Sequence, residues 1–197
     1  MMWRCDQTKV VVKFIIADLD IACNEKPFVR DHQAVIVPEE PIFDTYMNPT
    51  RTNKGGYVRS YMNRTVMPDA SNCLRSAFGY EHLLDSNLDG SHPSTCRLMT
   101  LSMVFGQTPK WYPGYSWSEF DKDKCLGGVQ LAAFRLNPNL CRTSDKDYWL
   151  SDSYIGDSYI GYGAFAKVLN HYGFTGFADS SSASDYNIGV RPFALLV

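Results

Sequence analysis

Apolar residues fall into short runs divided by turn residues, not into long helical stripes. Residues 9–16 (Lys9-Val10-Val11-Val12-Lys13-Phe14-Ile15-Ile16) are rich in β-branched side chains and predict a strand. Gln33-Ala34-Val35-Ile36-Val37, ahead of Pro38, predicts a second. Pro38, Pro41 and Pro49 then mark an extended, irregular stretch up to Gly55-Gly56. Residues 57–67 predict a short helix, and Pro68 suits the first turn of another that runs through Leu74 and Phe78 to stop at Gly79. Leu98, Leu101, Met103 and Phe105 ahead of Gly106 predict a further helix over residues 95–105. Beyond it the strand candidates are Phe134-Arg135-Leu136 before Asn137-Pro138, Tyr148-Trp149-Leu150, Phe165-Ala166-Lys167-Val168 and residues 190–197. The pattern is an α+β domain with two or more short helices early and a twisted, loop-rich antiparallel sheet late.

Composition narrows the function classes. With 45% apolar and 20% charged residues the chain is not a disordered one, and 197 residues suffice for a self-standing core. A net charge of -2 offers no concentrated basic surface, so nucleic acid is not an expected partner. The run of residues 10–16 is interrupted by Lys13 and followed by Asp18 and Asp20, too short and too charged for membrane insertion. Cys5, Cys23, Cys73, Cys96, Cys125 and Cys141 form no C-x-x-C pair, and His32, His82, His92 and His171 are equally scattered, so neither a metal site nor a cofactor is expected. The amino terminus lacks the pattern of a signal peptide, which favours cytoplasmic synthesis and mostly buried, reduced cysteines.

Residues 148–193 have a distinct chemistry. Tyr148-Trp149-Leu150 opens the segment and Gly189-Val190-Arg191-Pro192-Phe193 closes it. Between these apolar clamps Asp152-Ser153-Tyr154-Ile155-Gly156 is repeated at once as Asp157-Ser158-Tyr159-Ile160-Gly161, and a Ser-rich run leads to Asp185-Tyr186-Asn187. Tyr gives large, stiff, amphipathic contacts and Ser, Gly and Asn give adaptable hydrogen bonds, the mixture used by antibody paratopes. A glycine-rich surface loop built from ordinary turn residues is the plainer reading of the same composition.

An ordered set of motifs adds to this. Gly55-Gly56-Tyr57, Ser60-Tyr61-Met62, Thr65-Val66-Met67-Pro68, Ala77-Phe78-Gly79, His82-Leu83-Leu84, Phe134-Arg135-Leu136-Asn137-Pro138, Tyr148-Trp149-Leu150 and Gly189-Val190-Arg191-Pro192-Phe193 follow one another along the chain. Their order and spacing resemble phage and prophage proteins with a C-type-lectin-like ligand-binding domain, among them the variable proteins of diversity-generating retroelements such as phage tropism determinants. The resemblance covers residues 31–197 and leaves residues 1–30 as an amino-terminal arm. It implies a C-type-lectin-like fold whose final strands and loops present a ligand face, varied over residues 153–162 and 170–187 while Trp149, Phe165, Val168, Val190 and Phe193 hold the core. The implied ligand-binding residues are Ser153, Tyr154, Asp157, Tyr159, Tyr162, Asn170, Tyr172, Phe174, Phe177, Asp179, Ser181, Asp185, Tyr186 and Asn187. The implied role is host attachment on a phage virion, through a protein or glycan receptor on a host cell surface, with a homo-oligomer as the family's common form. The alternative is a non-diversified structural virion or prophage surface protein, with the bacterial cell surface as its location. This chain departs from the family at Ser151, where a basic residue is usual, and the doubled Asp-Ser-Tyr-Ile-Gly lengthens the loop that follows.

Catalytic readings carry less. Formylglycine-generating enzymes share the broad fold but use a cysteine pair near the carboxyl terminus, and here the last cysteines are Cys125 and Cys141. The Glu-Pro-Asn, Gln-Pro-Asp and Trp-Asn-Asp calcium motifs of sugar-binding lectins are absent, and Asp179, Asp185 and Asn187 fall short of a calcium shell. No enzyme activity is expected. His82 reads as a satisfied, partly buried histidine, Asp145-Lys146-Asp147 as a solvated turn, and the aromatic run from Trp111 to Trp117 as cover for the loop-rich half of the core, with a stacking or protein-binding patch beside the variable face as the alternative. Arg191, alone between core residues, reads as a structural residue bonded to backbone or to an acid.

Overall fold

β-Branched and aromatic runs pair into two sheets. In chain order the strands are β1 (Phe14–Leu19), β2 (Ala34–Pro38), β3 (Phe43–Asp44), β4 (Cys96–Leu98), β5 (Tyr148–Tyr154), β6 (Ala164–Leu169), β7 (Phe174–Asp179), β8 (Gly189–Val190) and β9 (Pro192–Leu196). The helices are α1 (Met67–Phe78), α2 (Leu101–Phe105) and α3 (Ala132–Leu136). The structure is a computed structural model and describes residues 12–19, 33–50, 56–84, 94–106, 130–144, 146–154, 164–170, 174–179 and 187–197. The aromatic run from Trp111 to Trp117 lies outside these residues. The first sheet has the order β1-β2-β9-β4 and is antiparallel throughout. The second has the order β3-β8-β5-β6-β7 and is antiparallel apart from the β5–β8 pair. Over the described residues the protein is thus mixed α+β with few helices.

Side-chain alternation along three central strands divides the interior in two. Ile36, Trp149 and Ala194 join one apolar cluster with Met67, Ala70 and Leu74 of α1. Their neighbours Val35, Val37, Tyr148, Leu150 and Phe193 join the other, with Leu101, Met103 and Val104 of α2 and Phe134 of α3. A strand covered on both faces has no polar face to show, which is why these segments read as continuous apolar runs. The five expected core residues, Trp149, Phe165, Val168, Val190 and Phe193, are all buried.

The helical region keeps its expected stops and changes its starts. Met67, Ala70, Ser71 and Leu74 make the buried stripe of α1, Pro68 lies in its first turn, and Gly79 ends it at a φ of 92°. The helix expected over residues 57–67 is helical in its second half only: a π-helical turn, Met62–Val66, leads without a break into α1. Tyr57 instead enters the core, where its hydroxyl accepts from Leu98 N at 3.3 Å. The helix expected over residues 95–105 is split. Cys96–Leu98 pairs with β9 as β4, and α2 starts only after Thr100, whose side chain accepts from Met103 N. Gly106, left-handed at a φ of 72°, closes it as expected.

Phe134-Arg135-Leu136 is a correction. It forms α3, not a strand, and Asp18 Oδ2 accepts from Ala132 N at 2.8 Å in its first turn. A strand would turn Phe134 and Leu136 to the same side, whereas the helix buries Phe134 and leaves Leu136 81% exposed. His82 is a second correction: its side chain is 54% exposed, 3.5 Å from Glu81.

The Gly189-to-Phe193 motif is where the chain passes from the second sheet to the first. Gly189 and Val190 form β8, and Pro192 opens β9, a first-strand position where a missing N–H costs little. A Cβ on Gly189 would stand 2.6 Å from Pro41 Cβ, so this approach needs glycine. Arg191, between the strands, is 1% exposed. It donates from Nε to Pro38 O and from Nη1 to Leu140 O, both at 2.9 Å, and lies over the Phe134 and Tyr148 rings. Backbone carbonyls, the Tyr148 hydroxyl at 3.4 Å and aromatic faces, not an acid, are the partners shown for this cation.

Candidate ligand-binding end of the second sheet

Three antiparallel strands set the geometry of the candidate site. Tyr154 of β5 pairs with Ala164 of β6, and Ala164 pairs with Asp179 of β7. Residues 153–154 and 179, far apart in sequence, therefore sit side by side at one end of the sheet. In sequence, residues 155–163 join β5 to β6 and residue 180 follows β7. At the other end Leu169 pairs with Phe174. At about 3.4 Å per residue the two ends of β6 are roughly 17 Å apart.

The sequence anchors each end differently. Near the first end β5 bulges: Trp149 faces Lys167 and Ser153 faces Phe165, so Leu150, Ser151 and Asp152 stand against Ala166 alone. The bulge frees these residues to bond elsewhere. Ser151 donates from N and from Oγ to Met99 O, at 2.9 and 3.3 Å, and Asp152 Oδ2 accepts from Leu101 N at 2.6 Å. A carboxylate at the first turn of a helix also meets the positive end of its dipole. Trp149 fixes the strand further, with Nε1 donating to Thr45 O at 2.8 Å and its ring edge-on to Phe165. At the opposite end Asp147 accepts from Lys167 Nζ at 2.7 Å and from Asn170 N at 3.0 Å, and its carbonyl accepts from Gly189 N at 2.8 Å. Lys146 bonds Asp44. The solvated turn expected at residues 145–147 is thus, at Lys146 and Asp147, a cross-link between strands; Asp145 lies outside the described residues.

Electrostatics make the buried titratable groups poor reagents. Burial pushes the Cys96 thiol up to about 11, against the opposing effect of hydrogen bonds from Ser71 and Ser94. Burial pushes the Cys141 thiol up to about 11 as well, against the pull of the Arg191 charge. Both are neutral thiols at physiological pH, and the thiolate is the nucleophile. Cys73, Cys96 and Cys141 are outside any disulfide. Burial likewise raises Tyr148, whose hydroxyl donates to Cys141 O at 2.9 Å. Among the described residues no group of three His, Cys, Asp or Glu could hold a metal ion, and no helix is long and apolar enough to cross a membrane.

The sequence-derived site residues are divided by the topology. Ser153, Tyr154 and Asp179 come together at the bulged end, and Phe177 lies opposite Ala166 within β7. Asn170 and Phe174 stand at the other end. Asn187, exposed, belongs with them, because Gly189 two residues on pairs with Tyr148. Asp157, Tyr159, Tyr162, Tyr172, Ser181, Asp185 and Tyr186 lie outside the described residues. Sequence reasoning misses Asp147, Ser151 and Asp152 as anchors. A cue is present for Asp152, which starts the first Asp-Ser-Tyr-Ile-Gly yet is separated from the apolar Tyr-Trp-Leu run by Ser151 alone. Comparison with family models, with curated proteins and with solved structures gave no match for this chain.

Proposed function

We propose that this protein is a ligand-binding protein of the C-type-lectin-like class, a host-attachment component of a phage virion whose contact face is diversified by a retroelement. The observation that carries the reading is the lateral row Tyr154, Ala164, Asp179, whose members are followed or preceded in sequence by segments of paratope-like composition. Support for a variable face on a fixed frame comes from the anchors beneath it: Trp149, Ser151 and Asp152 are buried and bonded to segments outside β5. The partner is a protein or glycan receptor on a host cell, and recognition proceeds without a chemical step.

Sequencing the coding region for residues 148–193 across many clones, with its flanking DNA, tests the reading. The expected result is substitution at template adenines in the codons of Ser153, Tyr154 and Asp179 and of the two connecting segments. Trp149, Asp152, Phe165, Val168 and Arg191 stay constant, and a reverse transcriptase gene with an imperfect repeat lies nearby. A uniform segment with neither element overturns diversification and leaves a fixed attachment or structural surface protein.

A further inference from the structure

We propose that Tyr46, Tyr61 and Asp69 form a fixed subsite for a cationic side chain, lysine or arginine, of a protein receptor. The proposal rests on the ligand-binding reading and adds a contact outside residues 148–193. Two buried methionines set it up. Met47 and Met62 are 0% exposed in the cluster that includes Met67 and Leu74 of α1, and Met62 N donates to Met47 O at 3.1 Å. Asn48 Oδ1 accepts from Tyr61 N at 2.9 Å. The residues that precede these methionines, Tyr46 and Tyr61, stand half-buried with ring centroids 5.4 Å apart and planes 40° apart. Bonds beside the pair hold the rings before a ligand arrives, which limits the ordering cost of binding.

The helix brings up the charge. Tyr61 leads into the π-helical turn Met62–Val66, a rare geometry that is frequent at functional sites, and Asp69 lies in the first turn of α1. Eight residues of uninterrupted α-helix would turn Asp69 roughly 80° away from Tyr61. The wider π-helical turn takes up that excess. Burial raises the Tyr61 hydroxyl above its ordinary value, and Tyr46 and the Asp69 carboxylate raise it further. Among the described residues Asp69, itself exposed, has no ion-pair partner.

A cation uses every part of this arrangement. The face of a tyrosine ring is the negative end of its quadrupole and attracts an ammonium or guanidinium group, and an unpaired carboxylate adds to that attraction. A neutral sugar gains from the rings and nothing from the charge. The second sheet sets the subsite beside a residue of the proposed face. Asp44 pairs with Gly189, and Thr45 N donates to Ile188 O at 3.2 Å. The next residues out along the two chains are Tyr46 and the exposed Asn187.

Nuclear magnetic resonance titration of the full chain with acetyl-arginine amide and acetyl-lysine amide, at constant ionic strength, tests the proposal. Saturable shifts are expected at Tyr46, Tyr61 and Asp69. Asp69→Asn should weaken binding about 2–5-fold, and Asp69→Lys should abolish it with unchanged circular dichroism. N-acetylglucosamine, the neutral probe, should leave these signals in place. The absence of a saturable shift, or binding that survives Asp69→Lys, overturns the subsite. A sugar response indifferent to Asp69 overturns the cationic ligand and makes the rings a glycan platform. Capture of labelled protein by bacterial cells is read separately. Equal capture of wild type and Asp69→Lys overturns the subsite and leaves attachment standing; a wild type that no cell captures overturns attachment, while the titration still decides the subsite.

Discussion

The crossover at Arg191 and the end of the second sheet at Tyr154 and Asp179 are built on opposite terms. Around Arg191 every part is committed: Pro38 and Leu140 carbonyls accept its protons, Phe134 and Tyr148 lie against its plane, and Gly189 leaves no room for a Cβ. At the other place the described anchors reach as far as Asp152. Asp152 is buried and bonded to Leu101 N, and Ser153 and Tyr154 follow it out to the sheet end. The contrast teaches that one place closes on itself through a buried cation, while the other carries its polar anchor, Asp152, directly below the proposed contact face.

Substitution at the crossover is the most severe way to probe that contrast. Arg191→Ala removes the cation, orphans two carbonyls and opens a cavity, for an expected loss of about 3–5 kcal/mol in chemical denaturation. Arg191→Met keeps the volume and relieves the buried charge, so it should cost clearly less; equal losses would show that the hydrogen bonds matter and the packing does not.

Alkaline pH attacks the same buried side of the comparison. Cys96 and Cys141 titrate near 11 when folded and near the ordinary value when unfolded. The folded state therefore keeps protons that the unfolded state releases, and stability falls as pH rises from about 9 to 11, by up to roughly 3 kcal/mol per thiol. Melting temperature against pH, in wild type and in Cys96→Ala, reads this loss directly.

A neutral anchor should respond less than the charged one. Ser71 Oγ accepts from Thr95 N at 2.9 Å and from Cys96 N at 3.2 Å, and so joins α1 to β4. Ser71→Ala leaves two buried donors without that partner and is expected to cost about 2–3 kcal/mol. Asp152→Ala removes a helix-start acceptor and should cost about 1–2 kcal/mol, with faster amide exchange at Leu101.

The smallest effect on folding is expected at the proposed face itself. If Tyr154 serves the proposed face, Tyr154→Ala should change stability by no more than about 0.5 kcal/mol while reducing capture of labelled protein by bacterial cells. A folding loss as large as that of Asp152→Ala would make Tyr154 part of the frame and erase the boundary between frame and face.

Much of the frame is legible in the residues alone. The β-branched runs give β1 and β2, the Tyr148-Trp149-Leu150 run gives the start of β5, and Pro68 and Gly79 bracket α1. These signals are local, carried by side-chain shape and backbone freedom. β4 and α3 escape such reading because Cys96–Leu98 becomes a strand only by pairing with β9, and Ala132–Leu136 is held helical partly by Asp18, remote in sequence. β7 is hidden inside a segment with the composition of a loop. Its Phe, Thr, Gly, Ala and Asp form a strand because β6 offers a partner for every residue from Phe174 to Asp179.

Apolar character, proline and glycine act wherever they stand, so the buried runs and the places where α1 and α2 stop follow from the chain's own residues. That Tyr154 and Asp179 share one end of a sheet while Asn170 and Phe174 share the other, and that Asp147 and Asp152 serve as anchors, comes from the folded arrangement. Register and hydrogen-bond partnership are properties of pairs of residues, and no single residue's chemistry contains them.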